Sequence, residues 1–364
     1  MASKNEPDAL SQPDLFGWKK SRREFLGDLG ALAAAAALSA REGKAQTAGA
    51  NRGWIDVHSH MSTPDWLKVF AEKGHKGLFD ADTALPQARV WSPAKLIESM
   101  DRAKVSVSIL SMTWPGIWFG EKEDSQETVR QRAREWNDAG GKLITEHPGR
   151  IGLFAVLPLP DMDGSLREME YALDTLKADG VGLLTSYDNK WLGDPVYAPV
   201  FQELNRRKAV VYTHPKIDGL YGPAGSDTTR TISSMLRAHT ASQYPDIRFI
   251  FSHAGGTMPY LIERIIGHDK IAQRLNSPAA PHTPLFDLRT FYYDTAQSAN
   301  PATIAGLRKV IPVSQIVFGT DFPYGGADLP ATAKELVECG QFNTEELAAV
   351  GRGNITKLLP KYNS

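Results

Sequence analysis

Short apolar runs alternate with helical stretches along most of this 364-residue chain, and no other feature constrains its fold as strongly. The runs are almost continuously apolar, as expected for strands that are buried on both faces. We predict eight such strands, at residues 54–60, 105–110, 151–157, 180–185, 209–213, 247–251, 291–293 and 315–318. Eight buried strands separated by helices predict an α/β fold, the (β/α)8 TIM barrel.

A doubly wound parallel sheet would show the same alternation and is the alternative fold. It is disfavoured because no glycine-rich phosphate loop follows the first predicted strand. Ser92 and Pro93 form a favourable N-cap and first-turn pair for the helix that precedes the second strand. The segment 215–226, rich in glycine and proline, is predicted to be a long loop at the barrel face that carries active sites.

The first predicted strand, Trp54–His60, ends in two histidines that are one residue apart. Residues i and i+2 of a strand point to the same face, so His58 and His60 can aim both imidazoles at one point. Two neutral imidazoles at this spacing suit Zn²⁺, Mn²⁺ or Fe²⁺. With nine histidines in the chain a chance pair is the alternative, but the position at a strand end favours a metal site.

Further polar side chains stand at the ends of three other predicted strands. His214 ends the fifth strand, His253 follows the sixth and Asp321 follows the eighth. A closed barrel brings these strand ends to one pocket, where imidazoles and a carboxylate make a metal site with open positions for water or substrate. A lone histidine is more often a core residue, so the prediction depends on their joint placement. The other histidines are predicted to be structural or exposed: His75, His147, His239, His268 and His282.

Residues 1–50 are predicted to be a targeting segment, and residues 51–364 the mature domain. A polar leader is followed by Arg22 and Arg23 in the sequence SRREFL, and then by an alanine-rich apolar stretch at 29–40. This stretch is too short for a membrane span, and a soluble amphipathic helix is disfavoured because it carries almost no charge. The pattern resembles a Tat signal, which predicts export of the folded protein to the periplasm by the Tat machinery.

Composition limits the partners. The formal net charge is −1, which gives no reason to expect nucleic acid or an anionic membrane surface as a partner, and no membrane span is predicted in the mature chain. Cys339 is the only cysteine, so no internal disulfide can form, and we predict that it is a packing residue.

Several segments together resemble the amidohydrolase superfamily: VHSH, YTHP, FSHAGG, FGTDFP and GNITKLL at 353–359. The branch they resemble holds aminocarboxymuconate-semialdehyde decarboxylase and the aromatic-acid decarboxylases. The stretch 180–215 is particularly similar to the 6-methylsalicylate decarboxylases of this branch. The resemblance covers about residues 54–360.

The resemblance implies a role for each matching residue. One divalent ion, with Zn²⁺ the first candidate and Mn²⁺ the second, would be bound by His58, His60, His214 and Asp321. His253 would act on the bound water or substrate. Binuclear members carry a carboxylated lysine at the end of the fourth strand, where this chain has Leu184-Thr185-Ser186, so a mononuclear site is expected.

Residues around this centre have implied roles as well. Arg264 matches an arginine that holds the substrate carboxylate, although a solvated helix charge is an equal alternative. Asp294 matches an acidic residue expected to support a histidine ligand. Trp114, Trp118 and Trp191 could wall an aromatic pocket or could be ordinary loop packing. Arg89 fits the family spacing poorly.

The resemblance and the residues together predict a metal-dependent, cofactor-free decarboxylase of a hydroxylated aromatic, salicylate-type acid or a related unsaturated carboxylic acid. His253 or Asp321 would protonate the ring carbon that bears the carboxylate. The partner would be a small carboxylic acid, and the resemblance implies a homo-oligomer such as a dimer. Two alternatives remain: a metal-dependent hydrolase of a lactone, ester or amide with Asp321 as base, and a binding protein without catalysis.

Overall fold

The structure is a computed structural model that describes residues 53–73, 86, 88–216, 224–325 and 329–363. The predicted targeting segment, with Arg22 and Arg23, lies outside the described residues. His75 and most of the predicted loop 215–226 also lie outside them.

Eight parallel strands form one sheet in which the spatial order is the sequence order. They are β1 (Trp54–His60), β2 (Val105–Ser111), β3 (Ile151–Val156), β4 (Gly180–Leu184), β5 (Val210–His214), β6 (Arg248–Phe251), β7 (Tyr292–Asp294) and β8 (Ile316–Val317). The segment after β8 returns to β1, because the amide of Val57 donates to the carbonyl of Phe318 at 3.0 Å and the amide of His60 to that of Phe322 at 2.8 Å. The predicted (β/α)8 barrel is therefore confirmed.

Helices fill the connections between the strands. The described α-helices are α1 (Pro64–Lys73), α2 (Pro93–Ala103), α3 (Gln126–Glu146), α4 (Met162–Glu170), α5 (Ala198–Arg206), α6 (Ala224–Arg237), α7 (Thr240–Gln243), α8 (Ile262–Ile266), α9 (Ile271–Leu275), α10 (Pro284–Thr290), α11 (Pro301–Val310), α12 (Leu329–Glu338), α13 (Thr344–Ala348) and α14 (Ile355–Leu358). Shorter elements are the π-helical turns Tyr171–Thr175 and Ala349–Gly353, the 3₁₀ turns Pro195–Tyr197, His253–Gly255, Val313–Gln315 and Pro360–Tyr362, and the hairpin of Ser186–Tyr187 with Lys190–Trp191.

Side-chain caps fix where several helices begin. The hydroxyl of Ser92 accepts a hydrogen bond from the amide of Lys95, as the Ser92-Pro93 pair predicts. Asp161 caps α4 by accepting from the amide of Gly164. Such a contact satisfies an amide that the helix itself leaves unpaired and stabilises the helix by about 1 kcal/mol.

The sequence predicts a helix over residues 164–178, before the fourth strand, and another over 229–243, before the sixth, and the observed helices differ from both. The predicted helix 229–243 is interrupted between α6 and α7, because His239 has a left-handed backbone with φ 52°. The predicted helix 164–178 is α-helical only to Glu170 and continues as a π-helical turn. Backbone conformations of this kind depend on tertiary packing, which the periodicity of apolar residues does not report.

The core has an outer and an inner part. Outward-facing strand residues pack against helix residues, for example Leu153 with Leu96 and Trp136 in one cluster. The inner cluster combines alternate strand residues with Ile355, Leu359 and Tyr362 near the C-terminus. Arg352 donates to the carbonyl of Gly53 at 3.0 Å, at the start of β1. The C-terminal segment thus packs at the N-terminal end of the barrel, and the opposite end remains for the functional residues.

Among the described residues, no helix has both the length and the apolar character needed to cross a membrane.

Candidate metal centre

Four potential metal ligands meet at the C-terminal end of the barrel. His58 and His60 end β1, His214 is the last residue of β5, and Asp321 lies four residues after β8. Each of them offers one ligand atom, and these atoms all lie within 4.8 Å of one another. All four residues are buried, and His58 and His60 are completely so. The structure therefore brings together the four residues that the sequence singles out as ligands.

The closest ligand atoms lie at hydrogen-bond distances from one another. His58 Nε2 is 3.1 Å from His60 Nε2, and Asp321 Oδ1 is 2.9 Å from His60 Nε2 and 3.2 Å from His58 Nε2. Donors that share one ion at about 2.1 Å must stand roughly this far apart. The His214 ring completes the group, with its centroid 4.7 Å from that of His60.

The partners of the Nδ1 atoms assign the tautomers of the histidines. Nδ1 of His60, His214 and His253 lies within 3.2 Å of the carbonyl oxygens of Ser111, Pro215 and Ala296 respectively. A carbonyl oxygen only accepts, so each of these Nδ1 atoms carries the proton. In the neutral ring each Nε2 is then an unprotonated lone pair. The Nε2 lone pairs of His60 and His214 converge with the Asp321 carboxylate, and these groups repel one another unless a positive charge lies between them, which is the fit expected of a metal site.

Charge around the cluster also suits a divalent cation. Burial lowers the pKa of His60 and His214, which keeps these imidazoles neutral near pH 7. Burial would also lower the pKa of His58, but attraction to Asp294 and Asp321 outweighs it and raises that pKa to about 10. Burial opposes the ionisation of Asp321, yet attraction to His58 holds its pKa well below the usual value. Two carboxylates thus favour positive charge at the centre.

Asp294, the last residue of β7, accepts hydrogen bonds from four groups around the site. Its Oδ2 accepts from Nδ1 of His58 at 2.8 Å and from the hydroxyl of Tyr212 at 3.1 Å. Its Oδ1 accepts from the backbone amides of His253 at 2.9 Å and Ala296 at 3.0 Å. One buried carboxylate thus fixes the orientation of His58 and of the loop that carries His253, which is the position from which Asp294 would support a ligand.

The segment between β8 and Asp321 is packed closely against β1. The amide of Asp321 donates to the carbonyl of His58 at 2.7 Å, and the Thr320 hydroxyl donates to buried Asp56 at 2.6 Å. A Cβ at Gly319 would lie 2.8 Å from Cβ of His58 and 3.1 Å from Cβ of Asp294. Only glycine therefore fits between these two side chains.

Gly319→Ala should disturb the metal site without touching a ligand. The added methyl group must push His58 or Asp294 aside, so we expect a lower thermal midpoint and metal affinity reduced by about tenfold or more. Gly306→Ala is the control. Gly306 lies inside α11, and a Cβ there would meet only Pro259, at an ordinary contact distance of 3.8 Å. Metal titration and thermal unfolding of both variants measure the effect. Wild-type metal affinity in Gly319→Ala would contradict the steric argument.

The substrate-binding residues predicted from the sequence have the following surroundings in the structure. Arg264 is exposed on α8, and no hydrogen bond or ion pair of its side chain to a described residue is present. Trp114 packs edge-on against Phe70, with ring centroids 5.6 Å apart. Trp191 lies in the short hairpin, with the guanidinium carbon of Arg230 5.7 Å from the centre of its ring. Arg89 is exposed.

An apolar pocket lies at the ends of β2 to β5, and none of the four potential ligands lines it. Trp118 lines it, but Trp114 and Trp191 are not among its lining residues in the described part of the chain. Lys216 also lines it and holds its ammonium group 5.6 Å from the centre of the Trp118 ring. The other lining residues are Met112, Gly116, Ile117, Val156, Leu157, Gly182, Leu183, Leu184 and Tyr187.

Some residues at the site were not singled out in the sequence. Tyr212 supports Asp294, Gln297 donates to Asp321 Oδ2, and Lys216 lines the pocket. Tyr212 and Lys216 are each two residues from His214, so their proximity to that ligand was a usable signal. Gln297 is 24 residues from its partner, and no motif marks it.

Comparison with known proteins agrees with this geometry. A family model described as amidohydrolase matches residues 55–361. Decarboxylase yanB of Aspergillus niger is 33% identical over 333 residues, covering 85% of this chain and 88% of that protein. The 6-methylsalicylic acid decarboxylase acuB of Aspergillus aculeatus is 34% identical over 321 residues, covering 84% of this chain and 93% of that protein.

A solved structure shares the fold. It is a dihydroxybenzoic acid decarboxylase from Polaromonas sp. JS666 with bound manganese and the inhibitor 2-nitroresorcinol, with a TM-score of 0.72 and 22% identity, covering 86% of this chain and 98% of that one. The family model spans most of the described barrel, and both fungal relatives exceed 30% identity. This chain belongs to the amidohydrolase family.

Proposed function

We propose that this protein is a metal-dependent decarboxylase of a hydroxylated aromatic acid of the salicylate type. The observation that carries the proposal is the convergence of three imidazoles and one carboxylate at the end of the barrel where loop residues also line an apolar pocket. The fungal relatives named as decarboxylases, one of them of 6-methylsalicylic acid, support the reaction type.

His58, His60, His214 and Asp321 would hold one divalent ion. Zn²⁺ and Mn²⁺ both suit three imidazoles and a carboxylate, and the manganese in the structural neighbour supports Mn²⁺. When bound, such an ion would fix the substrate carboxylate and draw negative charge toward its oxygens. Elemental analysis of the purified protein distinguishes the two ions.

The apolar pocket at the ends of β2 to β5 has a free volume of about 10 Å³, so its side chains would form one wall against the aromatic ring. These side chains are mainly aliphatic, together with the Trp118 indole, which suits contact with a flat apolar ring. Lys216 is the one charged residue among those that line it, and it would attract an anionic acid toward the strand ends. Arg264 remains a predicted carboxylate contact, to be tested by substitution.

His253 would carry the proton. Its Nδ1 is engaged by Ala296, and its ring centroid is 4.8 Å from that of His58, so Nε2 is the atom available for chemistry. Burial lowers the pKa of His253, which makes its protonated form a ready acid. Nε2 would take up a proton from solvent and pass it to the ring carbon that bears the carboxylate. The bond to the carboxylate would then break, its electrons would return to the ring, and CO₂ would leave.

The reaction type is tested in D₂O. Purified enzyme is incubated with salicylate-type acids and, in parallel, with a panel of lactones and esters. We expect CO₂ release from an aromatic acid and one deuterium at the carbon that lost it, observed by NMR. Cleavage of a lactone or ester without turnover of any aromatic acid would replace the decarboxylase by the hydrolase.

Export is proposed from the twin-arginine pattern at Arg22 and Arg23 alone.

A further inference from the structure

One turn contacts three of the functional side chains. Residues 294–297 run from the last residue of β7 into the turn that follows it, at the open end of the barrel. Asp294 accepts from His58, the carbonyl of Ala296 accepts from Nδ1 of His253, and Nε2 of Gln297 donates to Oδ2 of Asp321 at 2.5 Å. The first two contacts orient His58 and His253, whereas the contact of Gln297 is made to the carboxylate of a proposed ligand.

We propose that Gln297 is a positioning residue that fixes the orientation of the Asp321 carboxylate. The two oxygens of Asp321 have different surroundings. Oδ1 faces Nε2 of His60 at 2.9 Å and of His58 at 3.2 Å, while Oδ2 faces the Gln297 carboxamide. A carboxylate held at both oxygens cannot rotate about its Cβ–Cγ bond. Gln297 thereby presents Oδ1 alone to the cluster and keeps Oδ2 toward the opening.

The backbone of Gln297 supports a functional reason for this side chain. Its φ is 50°, in the left-handed region that disfavours residues with a Cβ. His253 and Asp321, which also follow barrel strands, have φ values of 55° and 62°. Strained backbones of this kind cluster at functional sites, where the position of a side chain matters more than local stability.

The turn is also anchored tightly enough to position a partner. Oδ1 of Asp294 accepts from the amide of Ala296 at 3.0 Å, and the amide of Ser298 donates to the carbonyl of Thr295 at 3.1 Å. Gln297 itself is exposed, while the residues on either side of it are buried. Its side chain therefore bridges from a fixed backbone at the rim to a buried ligand.

In Gln297→Gly, relief of the backbone strain and loss of the hydrogen bond to Asp321 should have opposite effects, the first on thermal stability and the second on metal affinity. Glycine relieves the left-handed backbone, so the metal-free variant should unfold at the same temperature as the wild type or higher. The lost contact frees the Asp321 carboxylate, so the dissociation constant for Mn²⁺ should rise by about tenfold or more. At saturating Mn²⁺, kcat should fall while KM stays within about twofold, because Gln297 acts through Asp321.

Two matched controls separate these effects. Lys208→Gly removes an exposed side chain at a similar φ of 52°, and it should leave Mn²⁺ binding unchanged. Gln297→Met is a second test variant, which keeps the volume of the side chain and removes its hydrogen-bond donor. Gln131→Met, on the outer helix α3, removes a comparable contact of 2.8 Å to Glu135. Only the substitutions at Gln297 should weaken Mn²⁺ binding.

The experiment is a Mn²⁺ titration and a thermal unfolding of the four metal-free variants, followed by kinetics. Wild-type Mn²⁺ affinity in both Gln297 variants would overturn the proposal. Weaker binding accompanied by a lower thermal midpoint in Gln297→Gly would also overturn it, since the role would then be structural. The kinetic measurement rests on the proposed decarboxylase function, whereas the Mn²⁺ affinity measurement does not. A failure of the positioning role of Gln297 can therefore be distinguished from a failure of the proposed function.

Discussion

Replacing His58 with alanine should remove the metal ion from the protein and abolish turnover with it. His58 supplies one of the converging Nε2 atoms, and its Nδ1 is the group that buried Asp294 holds at 2.8 Å. The variant loses a ligand and leaves Asp294 with one partner fewer in a fully buried position. Loss of an outer partner alone costs 10–100-fold in metal affinity, so loss of a ligand should cost more than about 100-fold.

Elemental analysis and a titration with Mn²⁺ and Zn²⁺ measure this loss. His268→Ala is the matched control, since His268 is an exposed histidine that pairs with Glu263 at 3.1 Å on the surface. It should retain about one ion per chain and wild-type turnover. A full complement of tightly bound metal in His58→Ala would show that His58 is not a ligand.

The barrel and its ligands are the features that sequence reasoning reaches most directly. Strands buried on both faces appear as apolar runs, and the position where each run ends places the next polar residue at the barrel mouth. His58, His60, His214 and Asp321 were all placed by this rule, and the structure brings them together. The rule works because strand direction and the two-residue period are set by the backbone and hold in every sequence.

Hydrogen bonds between different loops at the barrel mouth cannot be predicted from the ends of the apolar runs. The hydrogen bond from Gln297 to Asp321 depends on a left-handed backbone in the turn after β7. The interruption at His239, between α6 and α7, likewise depends on a left-handed backbone. Neither conformation follows from residue type, because glutamine and histidine usually adopt other backbone angles. The tryptophan loops show the same limit: three tryptophans follow the relevant strands, yet only Trp118 lines the described pocket.

His58, a proposed metal ligand, and His253, the proposed proton carrier, are both hydrogen-bonded to Asp294. Oδ2 of this carboxylate fixes His58, while Oδ1 fixes the amide of His253. One carboxylate therefore positions both the proposed metal site and the proposed proton carrier, which are different side chains. A substitution that removes only the Nε2 atom of His253 should separate the two functions.

His253→Asn is that substitution. Asparagine tolerates the φ of 55° at this position, and its side-chain amide can still donate to the carbonyl of Ala296 as Nδ1 does. The variant lacks an atom in the place of Nε2, so it can bind substrate but cannot deliver a proton. We expect about one metal ion per chain and a kcat lower by about 10²–10⁴-fold, the usual cost of losing a general acid.

His282→Asn is the control for this variant, because His282 is an exposed histidine with a similar φ of 60° whose Nδ1 lies 3.1 Å from the Ser242 hydroxyl. It should keep both metal and turnover. Steady-state kinetics with metal analysis on the same samples measures both variants. Loss of metal from His253→Asn would make His253 a ligand, and undiminished kcat would leave Asp321 as the acid. In that second case the proton must travel through Oδ2 of Asp321, the oxygen that Gln297 holds, and Gln297→Met would then alter the rate more than any change at His253.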